Sequence, residues 1–314
     1  MTARLRSAAG RWSLAAALCV GAGLVVTTSS PAEAALQTWN ATVTEVLDGD
    51  TFIVRYAGES STTQIRVAGL QTNEIADPGS GPPAECFSGP PTTRLTVLVD
   101  GRRVQLRANN ESSQSLGRDI RHVFIGNQNI ATQMLREGYG VPVVFANERD
   151  FAVEYANAAL LAAEEGIGLW DDARCGAGPA ANADIDMIVN YDAAFDDNTN
   201  VNGEYVQLRN RGSERITLDG WLLRDTALRR FPLPSGYRID PGDYLRVFVG
   251  VGTNGPRSIY LGQSSPLFGN DTDGVFLHDP DYDIRAFDIW PCTDTCVDPP
   301  QLTIDAVNAN APGD

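Results

Sequence analysis

The sequence predicts a two-domain protein, a small closed β-barrel with added helices followed by an all-β sandwich. Three observations predict it. Apolar and polar residues alternate through 41–47, 51–56 and 63–70, the period of two that a half-buried strand requires, and 103–108 and 119–125 read as two further strands. Beyond residue 185, short β-rich runs recur between Gly, Asp, Asn and Pro turns without a helical stretch. Between these regions lies a small-residue Gly/Pro segment, 175–184, that reads as a hinge.

The elements follow in chain order. Arg4, Arg6 and Arg11 precede an apolar run over 12–26, and Ala32-Glu33-Ala34 supplies an Ala-x-Ala end, the pattern of a secretory signal peptide over 1–34. The run is shorter than the ~20 apolar residues of a comfortable bilayer span. Cleavage after Ala34 is therefore expected, giving a protein without a membrane span that is secreted to the extracellular space or the cell envelope. The barrel domain is placed at 35–176. Within it, Asp48-Gly49-Asp50 makes a tight turn between the first two strands. A helix is expected over 129–137, with Asn129 as cap and Gly138 as stop, and an Ala-rich helix over 151–165 ends at Gly166. Residues 92–99 leave two readings open: their β-branched residues favour a strand, their position favours a helix. A linker over 177–183 leads to the sandwich, 184–291, with its strongest strands expected at 205–208, 216–218, 221–223, 244–249 and 275–277. A Cys-containing tail, 292–314, rich in Pro, Ala, Asn and Asp, closes the chain.

Composition narrows the function. The 314 residues are 43% hydrophobic and 20% charged, which excludes a collagen, a coiled coil and a wholly disordered chain. A net charge of −16 excludes a generic basic coat for nucleic acid. All 24 basic residues are arginine, so a Schiff-base lysine and a Walker-type phosphate loop are excluded too. Residues 35–178 carry 18 acids against 11 arginines, a balance of −7, so any path for nucleic acid across this domain must be local. Beyond the leader stand Cys86, Cys175, Cys292 and Cys296. An even number in an exported chain favours disulfides; of the three possible pairings, Cys86 with Cys175 and Cys292 with Cys296 are the local ones. A zinc site is the weaker reading, because no CxxC occurs and the histidines are His122 and His278 alone. His122, isolated in a strand, is expected to be structural.

Three pieces of the first domain carry chemistry: Asp48-Gly49-Asp50-Thr51, the run from Arg66 to Gln71-Thr72-Asn73-Glu74, and Leu116-Gly117-Arg118-Asp119. In this order, and with Gly168-Leu169-Trp170 closing the domain, they resemble the staphylococcal nuclease family over about 38–172, OB-fold phosphodiesterases that use calcium. The resemblance implies that Asp50 is a calcium-binding carboxylate and that the Thr72 carbonyl is a second ligand. It implies that Glu74 is the general base or orients the attacking water, and that Arg66 and Arg118 grip the phosphate. Gln71 stands where the family has a second calcium-binding aspartate, so a neutral amide replaces a charge, with Asp48 or Asp77 as the acids able to compensate. Leu116 stands where the family has a tyrosine. Arg121 and Arg55, with Arg102 and Arg103, are candidates for a local nucleic-acid path.

Elementary chemistry supports that division of labour. Phosphodiester hydrolysis spreads negative charge over the non-bridging oxygens in the transition state, and a hard cation held by oxygen ligands stabilises it as a Lewis acid. Guanidiniums present paired N–H donors and stay charged at any pH. A nearby carboxylate can take the proton of water.

In the second domain, Glu204-Tyr205-Val206-Gln207-Leu208-Arg209-Asn210 and Leu218-Asp219-Gly220-Trp221-Leu222-Leu223 resemble the lamin tail domain over about 183–290. That resemblance implies an immunoglobulin-like sandwich serving adhesion or targeting, with Trp221 as a core plug and its partner unspecified. The acidic loop 196–203 fails as an EF-hand, because position one of the best register lacks aspartate and position twelve is Arg209. The expectation is therefore a secreted, calcium-assisted nuclease acting on DNA or RNA, monomeric by default. The rival is a catalytically quiet OB-fold module of the cell envelope that binds nucleic acid or protein.

Overall fold

Alternating burial builds the first module strand by strand. In β1 (Gln37–Val46), Ala41 and Val43 face inward while Thr42 and Thr44 face solvent. β2 (Thr51–Tyr56), β3 (Thr63–Val67), β4 (Arg103–Ala108) and β5 (Arg118–Ile125) complete the wall. The pairing order is β3-β2-β1-β4-β5, and a parallel pairing of β3 with β5, Arg66 opposite Ile120, closes the circle. The result is a five-stranded closed barrel of the OB type. The computed structural model describes residues 36–75, 84–145, 147–171, 174, 183–194, 196–270 and 273–290.

Three α-helices accompany the barrel among the described residues. The segment left open by the sequence is α1 (Gly89–Val99): Pro90 and Pro91 occupy its first turn, and Pro91, Leu95, Leu98 and Val99 form one buried face. Burial of that face outweighs the weak strand preference of its threonines and valines. Asn129 caps α2 (Ile130–Arg136), its side chain accepting from the Ala131 N–H. α3 (Ala152–Glu164) turns Tyr155 and six alanines inward. Tyr155 reaches His122, its hydroxyl 2.7 Å from Nδ1, and Glu148 lies 3.5 Å from Nε2, so His122 is a fully buried structural residue, as expected.

The second module is all-β among its described residues. One sheet joins β6 (Ile185–Asn190), β7 (Tyr205–Asn210), β10 (Tyr244–Phe248) and β11 (Ser258–Tyr260). The other joins β9 (Arg230–Pro232), β8 (Leu222–Asp225), β12 (Asp273–His278) and β13 (Ile284–Trp290), in that order. Trp221 is 2% exposed and plugs the interior. Every expected strand is present with shifted bounds, most of all at two places: 216–218 contributes a two-residue pairing, Ile216–Thr217 with Arg238–Ile239, and the strand expected at 221–223 runs from Leu222 to Asp225.

The two modules share one continuous apolar core. Trp170 meets Phe287 of β13 at 4.7 Å between ring centroids, and the Val144 N–H donates to the Thr226 carbonyl at 3.1 Å. Cys86 is disulfide-bonded, its sulfur 3.4 Å from the Arg174 carbonyl oxygen. Cys175, Cys292 and Cys296, with the leader 1–34, most of the linker and the tail, lie outside the described residues. Among the described residues no helix is long and apolar enough to cross a membrane.

Two predictions follow from packing. Gly69 has φ +83°, and a Cβ there would sit 2.0 Å from the Tyr155 ring. Gly69→Ala therefore costs about 2–4 kcal/mol, read as a lowered denaturation midpoint at unchanged m-value. Glu204, fully buried with Oε2 accepting from the Leu267 N–H, is pushed up to about 7 by desolvation, with Asp197 and Asp273 adding to it. The folded state thus holds a proton that the unfolded state has released, so stability declines as pH rises from about 4.5 through about 7. Thermal melts across that range should show the decline, and Glu204→Gln should reduce it, the raised Asp48, Asp283 and Asp288 carboxyls accounting for what remains.

Candidate active site

The site lies where β2 begins and β3 ends. The 48–51 turn closes through the Leu47 and Asp48 N–H groups, both donating to the Thr51 carbonyl, and the Asp48 side chain accepts from the Asp50 N–H at 2.9 Å. Gly49 leaves room for the strand opposite, since a Cβ there would lie 2.6 Å from Thr72 Oγ1. Register then sets Thr51 against Arg66 across β2 and β3.

A single chain of hydrogen bonds joins the predicted residues. The Arg118 guanidinium donates to Thr51 Oγ1 at 3.1 Å, and that hydroxyl donates to Asp50 Oδ1 at 3.0 Å. Arg66 forms an ion pair with the same Asp50 oxygen at 2.5 Å and donates through its other terminal nitrogen to Gln71 Oε1 at 2.6 Å. Gln71 Nε2 donates onward to Glu74 Oε1 at 2.9 Å and to the Thr72 carbonyl at 2.6 Å. Asp50 Oδ2 accepts from the Thr72 N–H at 2.9 Å. Asp50, Arg66, Gln71, Thr72, Glu74 and Arg118, distant in sequence, therefore occupy one place.

Exposure divides their roles. Glu74 is exposed and Arg118 half-buried, whereas the Arg66 side chain is 2% exposed, with the Phe145 ring 5.9 Å from its guanidinium carbon. Arg118 is thus the guanidinium presented to solvent, and Arg66 is the organiser beneath it. Arg118 leaves a two-residue turn in which Leu116 has φ +52° and Gly117 φ +79°. A leucine in the left-handed region is strained, and this one is also 92% exposed, so it stands out beside Arg118 rather than packing.

Two arginines predicted to line a nucleic-acid path stand elsewhere. Arg121 is 3% exposed, and its guanidinium donates to the carbonyls of Glu111 and Ile120 and to the Asp119 carboxylate while lying 4.8 Å over Trp39. With those donors taken it braces the loop that carries Arg118 and is not presented to a substrate. Arg55 is exposed four residues from Thr51 along β2, about 13 Å away at strand rise, outside the cluster. Glu85 is a site residue that sequence reading missed. It is 4% exposed, its Oε2 accepts from the Glu74 N–H at 2.9 Å, and its own N–H donates to the Glu74 carbonyl at 3.0 Å. The two lie eleven residues apart in the sequence, and no local pattern links them.

Calcium is the metal that the sequence resemblance implies, and these side chains as arranged do not fit it. Both Asp50 oxygens are already engaged by Arg66, Thr51 and Thr72. The Gln71 amide turns its oxygen to Arg66 and its NH₂ toward Glu74 and the Thr72 carbonyl; the reverse orientation would set donor against donor and acceptor against acceptor. Burial and the adjacent Asp50 push Asp48 up to about 6. Asp77 lies outside the described residues, and among those described no three His, Cys, Asp or Glu converge as a metal site.

Comparison with known proteins bears on the two modules. Residues 64–172 match the family model of staphylococcal nuclease homologues, and 179–288 match the Lamin Tail Domain. The thermonuclease of Staphylococcus intermedius is 21% identical over 129 residues, 41% of this chain and 74% of that protein. The chain thus carries an SNase-like OB-fold barrel followed by an all-β region consistent with an immunoglobulin-like lamin tail domain.

Calcium affinity rises with the number of charged ligands. Gln71→Asp, which restores a second carboxylate, should tighten calcium binding by about tenfold or more in calorimetric titration, and equal affinity in both proteins would show that position 71 does not face the cation.

Proposed function

We propose that this protein is a secreted phosphodiester hydrolase acting on DNA or RNA. The observation that carries it is the hydrogen-bonded chain from Arg118 through Thr51, Asp50, Arg66 and Gln71 to Glu74, which sets a solvent-facing guanidinium and an accessible carboxylate on one buried ionic scaffold. Arg118 binds a non-bridging oxygen of the scissile phosphate and stabilises the charge that grows there. Glu74, steered by the Gln71 amide, takes the proton of the attacking water. Arg66 holds Asp50 and Gln71 in register and adds positive potential beneath the phosphate. The match to a nuclease family and the distant thermonuclease likeness support the same reaction class.

Calcium assistance, expected from the resemblance, requires Gln71 to turn and Arg66 to release Asp50. Export by the leader, a Cys86–Cys175 disulfide and an adhesion or targeting role for the lamin tail module complete the proposal. The second reading is an OB-fold binding module without catalysis, favoured by the 2% exposure of Arg66.

Digestion of single- and double-stranded DNA and RNA by the mature chain, with calcium and with chelator, separates these readings. Cleavage is expected, falling about 10²–10³-fold in Arg118→Met and about 10²-fold or more in Glu74→Gln. Full activity in both variants would place the chemistry elsewhere; binding without cleavage by the wild type would establish the second reading. Equal rates with calcium and with chelator would discard calcium assistance.

A further inference from the structure

The sheet β9-β8-β12-β13 turns one face toward the barrel module. Arg224 of β8 is paired with Arg230 of β9 and Phe276 of β12, and Phe276 with Phe287 of β13, so these four side chains share a face. Phe287 of that face packs on Trp170 of the first module. A sheet face buried in this way is ordinarily apolar, yet here it carries the buried Arg224, with the exposed Arg230 at its edge.

Arg224 is 4% exposed, and its side chain makes no hydrogen bond or ion pair among the described residues. Desolvation pulls its pKa down; the charges acting on it are Glu85, Arg230, Glu74 and Arg66, three of the four from the barrel module. A buried guanidinium is costly unless opposite charge meets it, and here that charge comes from the catalytic loop of the other module. Arg230, which is exposed, lies 3.4 Å from Glu85 Oε1. The other oxygen of Glu85 accepts from the Glu74 N–H, and the Glu85 N–H donates to the Glu74 carbonyl. One buried glutamate thus grips the main chain of Glu74 on both sides, and its charge is met by arginines of the lamin tail module.

We propose that Arg224 and Arg230 are positioning residues of the phosphodiesterase site, holding Glu74 in place through Glu85, so that the lamin tail module forms a working wall of the active site. This rests on the hydrolase reading above and extends it: the second module is part of the catalytic unit as well as an accessory. Without these arginines Glu85 is a buried carboxylate lacking its counter-charge, and its grip on Glu74 loosens. His278, on β12 beside Arg224, adds no competing charge, because burial and the two arginines lower its pKa to about 3.

The test uses the full mature chain and compares wild type with Arg224→Met, Arg224→Lys and Arg230→Met, with Arg215→Met, an exposed ion-pair residue of the same module, as control. Steady-state cleavage of a short single-stranded DNA gives kcat and KM, hydrogen exchange reports the Glu74 and Glu85 amides, and thermal melts report folding. The expected result is a fall in kcat of about tenfold or more in both Met variants, with KM changed less than about threefold, and faster exchange at the Glu74 amide. Arg224→Lys should recover most of the loss, and Arg215→Met should match wild type. Folded Met variants with wild-type kcat overturn the inference, as does a loss that lysine at 224 does not rescue. Should the wild type not cleave, the hydrolase reading fails by itself. The exchange data then decide the arginines' role, with an unchanged Glu74 amide in Arg230→Met overturning it.

Discussion

The ion pair between Arg66 and Asp50 organises everything near it. Both side chains are nearly sealed from water, at 2% and 6% exposure, and their atoms approach to 2.5 Å. Removing one partner of such a pair costs about 3–5 kcal/mol, because the other charge is left buried alone, so the surroundings must supply further hydrogen bonds to it. They do so from four directions: Thr51 from β2, the Thr72 main chain, the Gln71 amide and the Asp50 carbonyl. Satisfying the pair is what draws Arg118 and Glu74, through Thr51 and Gln71, into one constellation at the end of the barrel.

Gln71 changes the character of that constellation. A carboxylate at this position would add negative charge beside Asp50 and invite a cation. The amide instead offers one acceptor and two donors, and it uses them to link an arginine to a glutamate. The positive potential that a phosphodiester requires then falls more heavily on the protein's own guanidiniums. In a chain with 24 arginines and no lysine, this is a coherent solution, since guanidinium stays protonated even when buried and binds planar oxyanions through paired donors.

The module boundary is less sharp than two separate family matches suggest. The first match ends at 172 and the second begins at 179. Structurally, however, the face of one sheet has been given over to the barrel, with Phe276 and Phe287 supplying apolar contact and Arg224 and Arg230 supplying charge. Burying aromatics stabilises the junction, while arginines opposite Glu85 and Glu74 give it electrostatic specificity.

Much of this was legible in the sequence, and the division has a physical basis. Strand alternation, the Asn129 cap and the Asp48-Gly49-Asp50 turn are local patterns, each reporting a periodicity or a turn that near neighbours enforce, whereas the set Asp50, Arg66, Glu74 and Arg118 was named through its resemblance to a nuclease family. Those patterns determined the barrel and the sandwich, and the resemblance pointed to the residues that meet at the barrel's end. Tertiary structure alone decided the remainder: that 92–99 is helical, because its buried face has a place on the barrel; that Arg121 is a brace, because the carbonyls of a folded loop surround it; that Gln71 points its NH₂ away from Arg66; and that Glu85 and Arg224 belong to the site. Each of these outcomes depends on which buried surface or charge arrives from far along the chain, and burial converts a side chain's weak solvated preference into an obligation to be paired.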